Sequence, residues 1–446
     1  MHITAHLDVD VVAVETTDEV AVLVELTAPS AAPGPDNAPR PPRTLQVVLD
    51  RSGSMAGDRL NGAITALLAL VDRLDPTDNF GLVAFDDRVE LTVPAGPLTD
   101  KPAVKRAIAA IDARSSTDLS AGYVRGVQEA RRVAGKGDAP NGAGASVLII
   151  SDGHANAGVT DPGRLADIAA EARRNGVTTS ALGYGLGFDE RIMSALARGG
   201  AGNELFAEEP DTAIALIADE VEGLLSLTAQ AASVHVRLSK HVRRVQVVND
   251  LPVSTTGDGV IAELGSFYAD ETRKLLLVFD VPALAALGLT EVGTLEFTYV
   301  ELPALKEHTV TVPLHVNVVP GDQAAGRIPD PVVRTELIYQ RVQHAKRRAS
   351  SHLIEGDTDA ALADIREARA LVTATLATDP PAPLAADFTE EAATLDYLAQ
   401  QTEYGATARA SKYASMDWSH KSAKRGRLRP PQPRPSDAPT DPHDPR

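Results

Sequence analysis

Hydrophobic and polar positions change rhythm several times along the chain. Over residues 2–28 they alternate. Ile3, Ala5, Leu7 and Val9 share one face, and Val20, Val22, Val24 and Leu26 repeat the pattern after the polar turn TTDE. Period two predicts half-buried antiparallel strands. The next stretch, PSAAPGPDNAPRPP, cannot continue a sheet and reads as a linker.

From residue 43 the pattern is different. TLQVVLD is an unbroken apolar run, as expected of a strand buried on both faces. GDRLNGAITALLALVDRL has helical spacing, with Leu60, Ile64, Leu67, Leu68 and Val71 on one side. NFGLVAFDD, SVLIISDG, TTSALGYG and NELFAE read as further strands. KPAVKRAIAAIDA, DLSAGYVRGVQEARRVA, GRLADIAAEARRNG, IMSALARGG and DTAIALIADEVEGLLSLTA read as helices. Strands alternating with helices predict an α/β domain over 43–228, a doubly wound, mostly parallel sheet wrapped by helices.

Alternation returns at residue 229. SVHVRLS, VRRVQVVND, GVIAELGSF, RKLLLVFDVP, GTLEFTYVEL and HTVTVPLHVNVV are all strand-like, which predicts an all-β sandwich. An isolated hairpin is marginal. Residues 1–28 are therefore expected to pair with 229–320 in one discontinuous β-sandwich domain, with the α/β block inserted into it. Residues 330–405 are expected to form a helical region, with a hairpin turning at Gly356-Asp357 and a third helix over EEAATLDYLAQQTEYG. From 415 the chain becomes polar and then proline-rich, and a disordered tail is expected over 415–446.

Composition narrows the function. The chain has 446 residues, a formal net charge of -18 and no cysteine. The length suggests roughly two to four domains. The negative charge argues against a nucleic-acid partner, because phosphate contact needs basic surface. The lack of thiols excludes disulfides, thiolate metal sites and cysteine nucleophiles. The N-terminus lacks the basic and apolar regions of a secretory signal. The richest apolar run, LLLVFDVPALAALGL, is broken by Asp280 and Pro282 and is too short to span a membrane. A cytoplasmic protein without a membrane partner is expected.

Candidate chemistry concentrates in three segments. DRSGSM places Asp50 at the end of a buried strand and Ser52 and Ser54 in the loop after it. SSTDL places Thr117 and Asp118 just before a helix, and LIISDG places Asp152 at another strand end. In an open parallel sheet, ligands bind at the carboxyl ends of the strands. Side chains that all offer oxygen suit a hard cation such as Mg²⁺. One such residue alone is more often a helix cap or turn former than a ligand, but here three loops, each following or near a strand end, all carry Asp, Ser or Thr.

DxSxS, a later threonine and an aspartate after an apolar strand resemble the metal-ion-dependent adhesion site of von Willebrand factor A domains. The resemblance covers 43–228, roughly two fifths of the chain, and implies a Mg²⁺ (or Mn²⁺) site at Asp50, Ser52, Ser54, Thr117 and Asp152. It implies that the three hydroxyls touch the metal, that the two aspartates act directly or through water, and that a sixth position is open to a glutamate or aspartate from a partner protein. The family often has glycine close before the threonine, whereas Ser115 and Ser116 stand here. The segments ELGSFYADETRKLLLVFDVP and GNELFAEEPDTAIALIADEVEGLLSLTAQ resemble bacterial proteins that join such a domain to β-strands and a helical tail.

Other residues have plainer readings. Asp118 is expected either to cap the helix that follows it or to support the metal ligands from behind. His154 reads as a solvated loop residue and Asp86 and Asp87 as a charged turn. The basic run KSAKRGRLR could contact nucleic acid or acidic lipid, but the favoured reading is that it solvates its tail or pairs with the protein's own acidic surface. GYGLG lacks the spacing of a dinucleotide loop, and neither a phosphate loop nor a nucleophile elbow is present. The expectation is thus a metal-dependent protein-binding module and not an enzyme. The alternatives are an adaptor for an AAA-type ATPase and a metal-dependent hydrolase.

Overall fold

The structure, a computed structural model, describes residues 1–30, 42–114, 116–134, 144–152, 157–302, 304, 306–423 and 425–426. The chain opens with strands β1 (His2–Leu7), β2 (Val11–Ala13) and β3 (Asp18–Thr27). An alternating block follows: β4 (Thr44–Asp50), α1 (Asp58–Arg73), β5 (Asn79–Phe85), β6 (Val89–Pro97), α2 (Lys101–Ala109) and α3 (Leu119–Ala134). It continues through β7 (Ala145–Ser151), α4 (Pro162–Arg174), β8 (Val177–Tyr184), α5 (Glu190–Gly199), β9 (Ala201–Ala207) and α6 (Pro210–Leu225). Next come seven strands: β10 (Leu227–Leu238), β11 (Arg244–Val247), β12 (Val253–Thr255), β13 (Gly259–Tyr268), β14 (Thr272–Val281), β15 (Gly288–Glu301) and β16 (Lys306–Val319). The helices α7 (Gly321–Ala324), α8 (Pro331–Glu355), α9 (Thr358–Leu376), α10 (Ala382–Glu403) and α11 (Thr407–Ala423) close the described chain.

These elements form two compact units. One draws on residues 1–30, 231–300 and 307–426, the other on 42–230 and 301–306. The second unit is built on a six-stranded sheet in the order β6-β5-β4-β7-β8-β9. Its strands are parallel except β6, which runs antiparallel to β5 at the edge. The segment VELTVPAGP was not expected as a strand, because Pro94 and Gly96 interrupt its pattern. An edge tolerates both, since one side of the strand needs no ladder partner. Leu45, Val47 and Leu49 of β4 join Leu60, Leu67 and Leu70 of α1 and Leu216 and Ile217 of α6 in one core. The opposite face of β4 lies under α3, where Val48 and Gln46 approach Gly126.

The first unit contains a four-stranded sheet, β1-β3-β14-β11, and a six-stranded sheet, β12-β13-β10-β15-β16-β2. β3 pairs antiparallel with β14 along its whole length, from Asp18↔Val281 to Thr27↔Thr272. β2 pairs parallel with β16. Both faces of β3 are buried, and Ala21, Leu23 and Leu276 pack against Val333 of α8.

The helices run on beyond the expected limit of 405. The segment from 415, expected to be disordered, is helical to Ala423, with Met416 and Trp418 each 4% exposed. The cause is charge pairing over long sequence distances. Lys421 binds Glu391 (2.6 Å), Glu390 (2.9 Å) and Asp417 (3.1 Å). Arg425 binds Glu336 (2.9 Å) and Asp387 (2.7 Å) and lies 3.7 Å from the centre of the Tyr339 ring. At least these two cations of KSAKRGRLR neutralise buried carboxylates instead of solvating a tail. Residues 427–446 lie outside the described residues.

Candidate metal site

β4 lies between β5 and β7, so the chain leaves it toward one neighbour and later returns on its other side. The crevice at the carboxyl ends of such strands is where open α/β sheets bind ligands. Asp50 is the last residue of β4 and Ser151 the last of β7. The Ser151 hydroxyl donates to Asp50 Oδ2 (2.6 Å), and the Ser52 N–H donates to Asp50 Oδ1 (2.8 Å). Ser52 and Ser54 hydroxyls are 3.1 Å apart, and Ser54 donates to Asp152 Oδ1 (2.8 Å). A continuous hydrogen-bonded run therefore joins Ser151, Asp50, Ser52, Ser54 and Asp152.

The local chain explains this convergence. After Asp50, the short 3-10 turn Gly53–Met55 curls back, with Met55 N–H donating to Ser52 O (3.0 Å). Met55 is fully buried and pins the turn, while Ser54 stays exposed at its tip. Asp50 and Asp152 are 0% and 2% exposed. Burial raises the Asp50 carboxyl above its ordinary range. Hydrogen bonds from Ser151 and Ser52 oppose the rise, and the nearby Asp152 charge adds to it.

Thr117 is buried in the loop before α3. Its carbonyl accepts from Ala157 N–H (3.3 Å), so Ala157 lies against it. Among the described residues its hydroxyl makes no hydrogen bond, and it is not part of the run that joins the other four. Asp118 is the cap of α3, with Oδ1 accepting from Ala121 N–H (3.0 Å) and Ser120 Oγ (2.8 Å). His154 and Ser115 lie outside the described residues.

Asp50, Ser52, Ser54 and Asp152 thus present an oxygen-only donor set with two buried carboxylates. Hard divalent cations take such sets, without thiolate or imidazole. The cluster is carried by hydroxyls. Among the described residues, no three or more of His, Asp and Glu gather as a metal-binding group.

Two arginines beside the site had no role in the sequence reading. Arg59, in the first turn of α1, places Nη1 2.5 Å from Asp152 Oδ2 and 3.2 Å from Ser54 O. Its guanidinium lies against Gly185, where a Cβ would come within 2.9 Å of it and where φ is +78°. That contact accounts for part of GYGLG: a side chain there would push the cation off Asp152. Arg51, the variable residue inside DRSGS, is 2% exposed and pairs with Asp86 (2.9 Å) and Glu90 (2.7 Å). Burial alone would raise the Asp86 carboxyl. Bonds from Arg88 and Asp87 and the Arg51 charge outweigh it and hold the group below the ordinary aspartate range. A charged residue in a variable motif position, with its partner 35 residues away, leaves no local signal.

Comparison with known proteins agrees with this fold. Residues 45–219 match the family model of the von Willebrand factor type A domain, and the chain carries such a domain. Its relatives include an uncharacterised protein of Synechocystis sp., 27% identical over 300 residues, or 65% of this chain and 69% of that one. The Escherichia coli protein YfbK is 29% identical over 192 residues, 43% of this chain and 32% of its own length. Inter-alpha-trypsin inhibitor heavy chain H4 of Bos taurus is 26% identical over 188 residues, 41% of this chain and 20% of its own. The match thus spans a third or less of the last two. Among solved structures, a von Willebrand factor type A protein from Catenulispora acidiphila superposes with a TM-score of 0.70 at 15% identity, covering 96% of this chain and 97% of that one. The ArnB paralog VWA2 from Sulfolobus acidocaldarius gives 0.61 at 15% identity, covering 96% and 99%. Both share the fold over nearly the whole chain.

Proposed function

We propose that the α/β unit is a divalent-metal-dependent protein-binding module. The ligands are Asp50, Ser52, Ser54, Thr117 and Asp152, and the partner is a protein that contributes a glutamate or aspartate. The observation that carries this reading is the hydrogen-bonded run of oxygens from Asp50 to Asp152 at the switch point of the sheet. These residues would hold Mg²⁺ or Mn²⁺, which would supply a fixed positive charge for the partner's carboxylate.

The chain's own residues do the rest. Ser151 and the Ser52 N–H hold the Asp50 carboxylate in one orientation. Ser54, on the exposed tip of its turn, places its hydroxyl where a partner can approach. The chain's overall charge of -18 repels an acidic partner, and a local cation reverses that at one point.

Calorimetric titration with Mn²⁺ tests the site, and affinity purification tests the partner. The wild-type chain is expected to bind Mn²⁺ and Asp50→Ala to lose it. Proteins retained by wild type in metal are expected to be released by chelator and absent from Asp50→Ala. Equal retention in excess chelator would sink the reading. An AAA-type ATPase among the proteins lost from the variant would make the chain an adaptor for it. Asp50-dependent phosphatase or esterase activity with Mn²⁺ would replace binding by hydrolysis.

A further inference from the structure

We infer that Arg51 and Asp86 are positioning residues that clamp the loop bearing Thr117 to the loop bearing Ser52 and Ser54. The inference rests on reading the site as a metal centre. Its basis is a set of hydrogen bonds on either side of Thr117. The Arg51 guanidinium donates from Nε to Asp86 Oδ2 (2.9 Å). The Asp86 carbonyl accepts from Asp118 N–H (2.8 Å), on one side of Thr117. On the other side, Arg114 N–H donates to the Arg51 carbonyl (2.7 Å). Arg51 N–H donates to Phe85 O (2.9 Å), which continues the pairing of β4 with β5 to the edge of the site. Arg51 Nη1 also reaches Glu90 on β6 (2.7 Å), and Arg88 N–H fixes Asp86 Oδ1 (2.8 Å).

Thr117 is thereby held from both flanks by two residues that do not themselves offer oxygen to the site. Among the described residues no hydrogen bond of its side chain ties it to the Asp50–Asp152 run, so its place is set by these flanking bonds together with the one from Ala157 N–H to its carbonyl. A buried ion pair is weak evidence of stability, because desolvation offsets the attraction. Metal coordination, by contrast, tolerates only about ±0.2 Å in ligand distance. A rigid pair with several fixed bonds serves the second need better than the first.

The sign of one effect separates this role from simple electrostatics. Arg51 is a cation beside a cation site, so charge alone says that its removal strengthens metal binding. Positioning says that its removal weakens binding. The test is calorimetric titration of the full chain with Mn²⁺, together with amide hydrogen exchange of the metal-free chain. Arg51→Ala is expected to bind Mn²⁺ about 10- to 100-fold more weakly, the usual loss when a partner behind a ligand is removed. Exchange at the Arg114 and Asp118 amides is expected to speed up, with the β7 amides unchanged. Arg51→Lys is expected to recover part of the affinity.

Arg51→Ala that binds Mn²⁺ as tightly as wild type or more tightly, while Asp50→Ala does not bind, overturns the clamp and leaves the metal centre standing. Wild type and Asp50→Ala titrating alike overturns the metal centre itself. Should Arg51→Ala not fold, the double variant Arg51→Met, Asp86→Leu replaces the pair with apolar groups of similar volume. A tenfold loss of Mn²⁺ affinity in that folded variant supports the clamp, and unchanged affinity overturns it.

Discussion

Gly122→Ala offers a way to move the loop that carries Thr117 without touching a candidate ligand. Gly122 lies in the first turns of α3, whose start is capped by Asp118 and preceded by Thr117. A Cβ there would meet ring carbons of Phe85 at 2.6 Å and Phe85 Cβ at 2.9 Å. Phe85 is fully buried and pairs in register with Asp50, so it has little room to yield. Overpacking of this kind costs about 1–3 kcal/mol. Alanine returns about 1 kcal/mol through its higher helix propensity. The expected net is a loss of up to about 2 kcal/mol in stability. The metal effect should be larger in proportion, because relieving a 2.6 Å contact moves α3 by several tenths of an ångström. That exceeds the roughly 0.2 Å that coordination tolerates. Urea unfolding reads the first quantity and Mn²⁺ titration the second, with an expected affinity loss of about tenfold. A variant stabilised by about 1 kcal/mol with unchanged Mn²⁺ affinity would show helix propensity acting alone. The close approach of α3 would then not be what places Thr117.

Two further predictions address charge. Arg59→Ala removes a half-exposed cation that competes for Asp152, and it should raise Mn²⁺ affinity a few-fold, opposite in sign to Arg51→Ala; weaker binding would show Arg59 to be a support for the site. Lys346 is fully buried and pairs with Glu391 at 2.6 Å and with Asp417. Lys346→Met leaves two carboxylates facing Lys421 and should cost about 3–5 kcal/mol, read by urea unfolding through the fluorescence of Trp418, the only tryptophan. A cost below about 0.5 kcal/mol would mean that the cluster carries no net stability.

The sequence shows most clearly whatever is written in adjacent residues. The central strands of the α/β unit are buried on both faces, so TLQVVLD and SVLIISDG stand out as unbroken apolar runs. Asp50, Ser52 and Ser54 are close enough in the chain to form a motif, and Asp118 shows its capping role by its place before a helix. What sequence reading misses depends on distant partners. β6 looks irregular until β5 is beside it. The stretch from 415 to 426 looks like a solvated tail until Glu336, Glu390 and Glu391 are placed around Lys421 and Arg425. Arg51 sits in the middle of the motif, but its meaning depends on Asp86, which a local pattern cannot supply.

The interruption of the β unit by the α/β block has a consequence for how the chain is made. β3 has β1 on one side from the start, but it finds its second partner only when β14 exists, and Thr27 and Thr272, whose hydroxyls meet at 3.0 Å, are 245 positions apart. At about 5–20 residues per second, a ribosome takes roughly 12–50 s to cover that distance. Throughout that interval DEVAVLVELT, rich in valine and leucine, has the ladder groups of its β14-facing edge unpaired. Such a segment is prone to pair with other chains. The α/β block can fold meanwhile, because all six of its strands lie within 44–207. The nascent protein therefore passes through a stage with a finished α/β block and a β3 strand still open along one edge. Its yield in a cell should depend on whatever shields that strand until β14 emerges.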